Sequence, residues 1–231
     1  FIVKRSLSAL KEKILALRQL SSYIRNSICF EYVSIWIAQA EGRAKDGHDR
    51  TETALLKMLA LSRSNNQTFG ESIKDLCVVP VAIAYEYDPC AFDKAKQLKE
   101  ERLGNTYVKG DYEDLESIKK GFIGYKGRVH VSFGDVIDFE VANPEELSNE
   151  IDRQIISLFQ LFPSHIIAWQ LLNPDREEKC LQNIWPKEDW EAARRKFARH
   201  VAQFPLEYRD IVLKSYAAPV FDQLASGDVM A

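Results

Sequence analysis

Ile35-Trp36-Ile37-Ala38-Gln39-Ala40-Glu41-Gly42-Arg43-Ala44-Lys45-Asp46-Gly47 opens as an apolar run and stops at a carboxylate, a glycine, two cations and an Asp-Gly pair. Residues 32–38 have the aromatic and β-branched content of a strand, which the following Gly and Asp do not continue. Glu41 and Arg43 are therefore expected where a strand leaves its sheet. In open α/β sheets that edge is where ligands bind.

Working outward, Phe1-Ile2-Val3-Lys4-Arg5 has the character of the end of a short buried strand. Over residues 7–28 the apolar positions Leu7, Leu10, Ile14, Leu17, Ile24 and Ile28 recur at three- and four-residue spacing, with Lys11, Glu12, Lys13 and Arg18 between them. That spacing predicts an amphipathic helix, with Ser6 or Ser8 as its cap. Strand, helix, strand in this order predicts a right-handed βαβ unit with parallel strands. Parallel strands share one C-terminal edge, so Arg5 and the Glu41-Gly42-Arg43 loop are expected on the same side of the sheet.

Downstream, Asp49 or Thr51 is placed to cap a helix carrying Leu55, Leu56, Met58, Leu59 and Leu61. A polar break at 62–67 precedes a short helix over 69–76. Residues 77–85 are almost wholly apolar, as in a strand covered on both faces. Helices are predicted over 91–102 and 112–120, and the alternation of Arg128-Val129-His130-Val131-Ser132-Phe133 predicts a half-buried strand. Beyond Asn143-Pro144 the pattern is helical over 144–162, 165–172 and 187–224. The fold class that follows is α/β: a mixed, largely parallel sheet flanked by helices over residues 1–142, then a helical C-terminal region over 143–231.

The composition, 46% hydrophobic and 28% charged over 231 residues, is that of a globular chain with room for one sizeable core and an appendage. A net charge of −3 and a pI near 5.9 argue against a general nucleic-acid binder, so no nucleic-acid partner is expected. Cys29, Cys77, Cys90 and Cys180 are scattered, form no metal-ligand spacing, and are expected as buried thiols in a reducing compartment. No metal site is predicted. No apolar run reaches the ~18 residues that span a bilayer. The chain starts without Met, in what reads as mid-strand, and is expected to be an internal piece of a longer protein.

Lys4, Arg5, Arg43, Lys45 and Arg50, with Glu41, Asp46 and Asp49 among them, cluster around the predicted strand edge beside the helix starting near Thr51. Arginines give bidentate hydrogen bonds and a helix N-terminus adds partial positive charge, so this is a physically sound phosphate site. The plainer alternative is a solvated loop whose charges pair with one another.

Phe1-Ile2-Val3-Lys4-Arg5-Ser6, Glu41-Gly42-Arg43-Ala44-Lys45-Asp46-Gly47 and Val78-Val79-Pro80-Val81-Ala82-Ile83 resemble, in order, the second, third and fourth sequence blocks of the glycerolipid acyltransferases. That family includes the 1-acylglycerol-3-phosphate and glycerol-3-phosphate acyltransferases. The resemblance covers residues 1 to about 140. It implies transfer of a fatty acyl group from a thioester, on coenzyme A or acyl carrier protein, to the hydroxyl of a glycerol phosphate or lysolipid, with no cofactor beyond that co-substrate. It also implies a cytoplasmic location, peripheral at the inner membrane face. Arg5, Glu41, Gly42 and Arg43 would hold the acceptor's phosphate and glycerol, Lys4 and Lys45 would support them, and Pro80 would shape the pocket. The loop departs from the commoner Pro-Glu-Gly-Thr-Arg form, since Ala40 precedes Glu41 and Arg43 follows Gly42 directly.

An alcohol attacking a thioester needs a general base, most often His oriented by a carboxylate. In the family this is a His-x-x-x-x-Asp motif upstream of these blocks, so no catalytic residue is assigned within this chain. His130-Val131-Ser132-Phe133-Gly134-Asp135 has the spacing but stands after the fourth block, on a predicted strand, and is taken as structural. His48 is taken as a surface histidine, and His165 and His200 have no recognisable partners. Trp169, Trp185 and Trp190, near Arg194, Arg195, Lys196 and Arg199, suggest a membrane-facing surface or, more plainly, packing against the core. A non-catalytic lipid- or phosphate-binding paralogue is the rival reading. An α/β hydrolase is disfavoured by the lack of a Gly-x-Ser-x-Gly elbow.

Overall fold

The computed structural model describes residues 9–40, 44–176 and 179–227. In order they form α1 (Leu10–Cys29), α2 (Thr53–Leu59), a 3-10 turn (Ala60–Ser62), α3 (Phe69–Lys74), β1 (Val81–Tyr85), α4 (Ala91–Arg102), α5 (Glu113–Ile123), β2 (Val129–Phe133), α6 (Pro144–Leu158), α7 (Pro163–Leu172), α8 (Lys179–Asn183), α9 (Trp190–Ala202) and α10 (Leu206–Ser226). The structure is mostly helical, and its strands make one antiparallel pair.

This corrects the predicted largely parallel sheet. Residues 32–38 belong to no strand and carry no ladder. The chain turns off α1 through Tyr32, in the left-handed region at φ 56°, and the Val33 amide donates back to the Ser27 carbonyl. Tyr32 and Trp36 stand in solvent. A β-rich composition makes a strand only where a neighbouring edge takes its hydrogen bonds, and the described residues offer this run none. Phe1-Ile2-Val3, its predicted parallel partner, lies outside the described residues. The apolar run 77–85 yields a strand only from Val81, because Cys77 sits at φ 48° and Pro80 lacks an N–H to donate. The Glu86 amide donates to the Arg128 carbonyl at 2.9 Å, which fixes the antiparallel register opposing Tyr85 to Val129.

The helical predictions fare better. The chain has a helix at α1, where 3.6-residue periodicity placed one, and at α4 and α5, which match the helices predicted over 91–102 and 112–120. The run 187–224 divides at Pro205, which serves as the N-cap of α10. Thr51 does not cap α2, whose N-cap is Glu52 and carries no side-chain bond. Instead the Thr51 amide and hydroxyl both donate to Asp152 Oδ1, at 2.8 and 2.6 Å.

The chain divides into two compact units, each drawn from separated segments. Among the described residues one takes 9–40, 50–80 and 133–155, and the other 44–49, 81–132 and 156–227. In the first, Ile24 of α1 is buried, as are Leu56, Ile73, Ile137, Val141 and Leu147. Ser21 of α1 donates to the Leu59 carbonyl, and Arg25 reaches the Ser72 carbonyl and Asp75. Gly70 is glycine of necessity, since a Cβ there would lie 2.5 Å from the Val141 carbonyl oxygen. In the second unit α7 packs on α10, with Trp169 at 0% exposure among Ile166, Val212, Ala217 and Val220, and Phe197 of α9 closes the core. Trp185 donates its Nε1 proton to the Leu161 carbonyl at 2.7 Å, and Trp190 packs against the same cluster. Trp169 thus belongs to the core, and Trp185 and Trp190 pack against it.

Candidate functional site

Of the predicted site residues, Lys4, Arg5, Glu41, Gly42 and Arg43 lie outside the described residues. Lys45 and Pro80 are described, in different units. Pro80 is buried at the entry to β1, and its carbonyl accepts the Gly134 amide at 2.8 Å. The Lys45 ammonium is engaged by Glu101 of α4. Just before the helix end expected to hold phosphate, the Asp152 carboxylate of the same unit already takes the Thr51 amide and hydroxyl. With only seven residues, α2 is also too short to build up much of a dipole.

The described part of the third block, residues 44–47, and the two residues after it form a built turn against α10 (both in the second unit). Pro219 lies inside α10 and has no N–H, so the Ser215 carbonyl four residues earlier loses its helical donor. Gly47 comes to rest against that carbonyl. Its φ is +89°, and a Cβ would sit 2.1 Å from the Ser215 oxygen and 2.8 Å from the Ala218 Cβ. The Ser215 hydroxyl donates to the Lys45 carbonyl at 3.3 Å and to the Ile211 carbonyl at 3.0 Å. The His48 amide donates to Asp46 Oδ1 at 3.1 Å, an Asx turn.

This turn delivers His48 to Asp222 of α10. His48 Nδ1 lies 2.8 and 2.9 Å from the two carboxylate oxygens, with both side chains largely buried. Against the expectation of a surface histidine, the ring is partly buried and clamped, with Nδ1 facing the carboxylate. A carboxylate-oriented imidazole is the arrangement general bases use.

A second polar assembly surrounds Glu86, which follows β1 and is buried. Arg128 gives it three hydrogen bonds, from its amide at 2.9 Å and from Nε and Nη2 at 3.1 Å each, while Nη1 reaches Glu188 at 2.9 Å. The guanidinium also stacks over Trp185, 4.4 Å from the ring centroid. Burial pushes the Glu86 carboxyl up, but the hydrogen bonds and charge of Arg128, with Lys196 behind it, hold it below the ordinary range. Gly127 lets the backbone pass Glu86, since a Cβ would meet its Oε2 at 2.6 Å. Glu86, Gly127, Arg128 and Glu188, with Tyr125, Asp189 and Lys196, line an open cleft of about 340 Å3. Arg128 pairs with both Glu86 and Glu188, Lys196 lies over the Tyr87 and Tyr125 rings and Asp189 caps α9, so the group serves as a tie between β1, β2 and the start of α9.

The other histidines are structural. His165 is fully buried, its Nδ1 accepts the Phe162 amide at 3.0 Å, and burial drops its pKa to about 4. Burial also lowers the pKa of His200, whose Nε2 lies 3.0 Å from the Tyr216 hydroxyl; that hydroxyl accepts the Asp88 amide. His130 is exposed on β2. Among the described residues no cluster of His, Cys, Asp and Glu is arranged to hold a metal ion, and no single helix is long and apolar enough to cross a membrane. Cys77 is exposed, against the expectation of burial, and Cys90 is buried.

Asp222 and Ser215 stand 174 and 170 residues from the groups they meet, a separation at which no local pattern signals a contact. Glu86 did carry a signal. An acid between Tyr85 and Tyr87 at the end of an apolar strand is a charge in a place that demands a partner. No protein-family model, curated protein or solved structure matches the chain.

Proposed function

We propose that the chain is part of an acyltransferase. It moves a fatty acyl group from acyl-coenzyme A or acyl carrier protein to the hydroxyl of a glycerol phosphate or lysolipid, at the cytoplasmic face of a membrane. The observation that carries this reading is the order and content of three sequence blocks, Phe1–Ser6, Glu41–Gly47 and Val78–Ile83. No parallel strand edge contributes to it. The turn at Ala44–Asp49 supports it, because the described half of the third block, residues 44–47, is seated on α10 through a glycine and is followed directly by a histidine-carboxylate clamp, where a merely solvated loop has no such demands. Arg5, Glu41, Gly42 and Arg43 would bind the acceptor, with Lys4 beside them. Lys45, held by Glu101, would act through the electrostatic field and not by direct contact. The general base would come from a His-x-x-x-x-Asp motif outside residues 1–231.

The test uses the full-length protein, labelled acyl donors of both kinds, and glycerol 3-phosphate or 1-acylglycerol 3-phosphate as acceptor. Transfer that is lost in Arg5→Ala and Glu41→Ala, with circular dichroism unchanged, is the expected result. Acceptor binding without transfer identifies the non-catalytic paralogue, and neither binding nor transfer ends the proposal.

A further inference from the structure

α5 is an amphipathic helix mounted with its apolar side outward. Its inward face is small and polar. Ser117 is buried, with its carbonyl within reach of the Cys90 thiol; Lys120 bridges to the buried Asp93 at 2.6 Å; and Glu113 accepts from Gln97 of α4 at 3.1 Å. Gly124 completes the contact, since a Cβ there would strike Pro89 at 2.4 Å. At 100° per residue, Leu115, Ile118 and Phe122 share the opposite face. Phe122 is 82% exposed, Ile123 74%, and Tyr125 just beyond them 64%. Core-facing helices of water-soluble domains place these two kinds of residue the other way round.

Charge on this element is divided along its length. The acids Asp111, Glu113, Asp114 and Glu116 lie at the N-terminal end, whereas residues 117–128 contain Lys119, Lys120, Lys126 and Arg128 and no acid. Lys120 and Arg128 face inward to Asp93 and Glu86. Lys119 is exposed, and Lys126 caps the helix end by donating to the Phe122 and Gly124 carbonyls. Tyr125 borders the cleft that holds Glu86, Glu188 and Asp189. Phe122 and Ile123, with Lys119 and Lys126 beside them and the acids of the same element confined to its other end, are complementary to an anionic bilayer surface. The aliphatic and aromatic groups enter the headgroup boundary and the ammonium groups meet phosphates.

We infer that the C-terminal end of α5, with its tip at Phe122, Ile123 and Tyr125, docks on a membrane rich in anionic lipid. The helix tilts so that its acidic first turn stays in water. This deepens the membrane part of the proposed function and rests on that part alone. The chemistry is not involved, and vesicle binding is measured without acyl donor or acceptor.

The experiment is flotation of the 231-residue chain with phosphatidylcholine vesicles, with and without about 30 mol% phosphatidylglycerol. Expected is binding to the anionic vesicles that falls about tenfold or more in Phe122→Ser/Ile123→Ser. It should fall about fivefold per lysine in Lys119→Gln and Lys126→Gln, on anionic vesicles only. Phe122, Ile123 and Lys119 are exposed, so their variants keep the fold. Lys126 is half-buried and caps the helix end, and circular dichroism verifies the fold of every variant, Lys126→Gln included. Absence of binding to anionic vesicles, or binding indifferent to Phe122→Ser/Ile123→Ser, overturns the inference. So does sedimentation showing a dimer that this double variant dissociates, since the patch is then a contact between copies. Vesicle binding retained in a protein that transfers no acyl group leaves the docking surface standing and removes only the enzymatic reading.

Discussion

Gly47→Ala tests the seating of the third block on α10. Two costs arise. A non-glycine residue in the left-handed region costs about 1–2 kcal/mol wherever it occurs. The added Cβ would then lie 2.1 Å from the Ser215 carbonyl oxygen, a helix backbone atom that cannot swing aside. Relief requires the turn to lift, and lifting breaks the Ser215–Lys45 bond and the His48–Asp222 clamp, worth about 1 kcal/mol each. The total is about 3 kcal/mol. It is capped by the free energy of docking the turn, because the segment can detach while α7 and α10 stay packed. Gly104 supplies the control: its φ is +75° and a Cβ there meets nothing within 4 Å, so Gly104→Ala carries the conformational cost without the collision. Urea unfolding followed by circular dichroism should show Gly47→Ala less stable than Gly104→Ala by about 2 kcal/mol. Equal losses in the two variants would refute the close approach to Ser215.

Two further outcomes follow from the buried polar groups. Arg128→Ala strands the Glu86 carboxylate in the interior and should cost about 3 kcal/mol, with part of the loss recovered in Arg128→Ala/Glu86→Gln, as a double-mutant cycle would report. His165 titrates near 6.5 when unfolded and at about 4 when folded, so between these values the unfolded chain takes up the proton and the native one does not. Its contribution is complete above pH 6.5 and shrinks by about 3 kcal/mol as the pH falls to 4. Glu86, with a lowered folded pKa, adds a separate loss only below about pH 4.5. His165→Gln keeps an acceptor for the Phe162 amide and should flatten the upper limb in pH-dependent urea titrations while leaving the lower one.

Periodicity made the helices legible: the spacing of Leu10, Ile14, Leu17 and Ile24 places α1, and the charged run after Cys90 places α4. Where local pattern and tertiary context disagreed, context won. Residues 32–38 have a strand's composition and no ladder, and the seventh residue of the run 77–83 is the third of a strand that Pro80 delays. Much of the candidate site was legible as residue types but not as geometry. Gly47 was visible as a turn residue, yet only the folded chain shows that it is needed because Pro219 leaves the Ser215 carbonyl without its helical donor. His48 looked like a surface group because its partner, Asp222, is 174 residues away. α5 was visible as a helix, while the side it turns to solvent depended on Asp93 and Gln97 being buried beneath it.

The seating of Ala44–Asp49 on α10 also has a temporal side. As the chain leaves the ribosome, the Gly47 turn emerges long before Ser215, Ala218 and Asp222 exist to receive it. It must wait through the synthesis of nearly the whole second unit, with a glycine and a histidine held open to chaperones and proteases. The clamp between His48 and Asp222 therefore closes only after α10 has been made, and its formation reports that this helix has arrived.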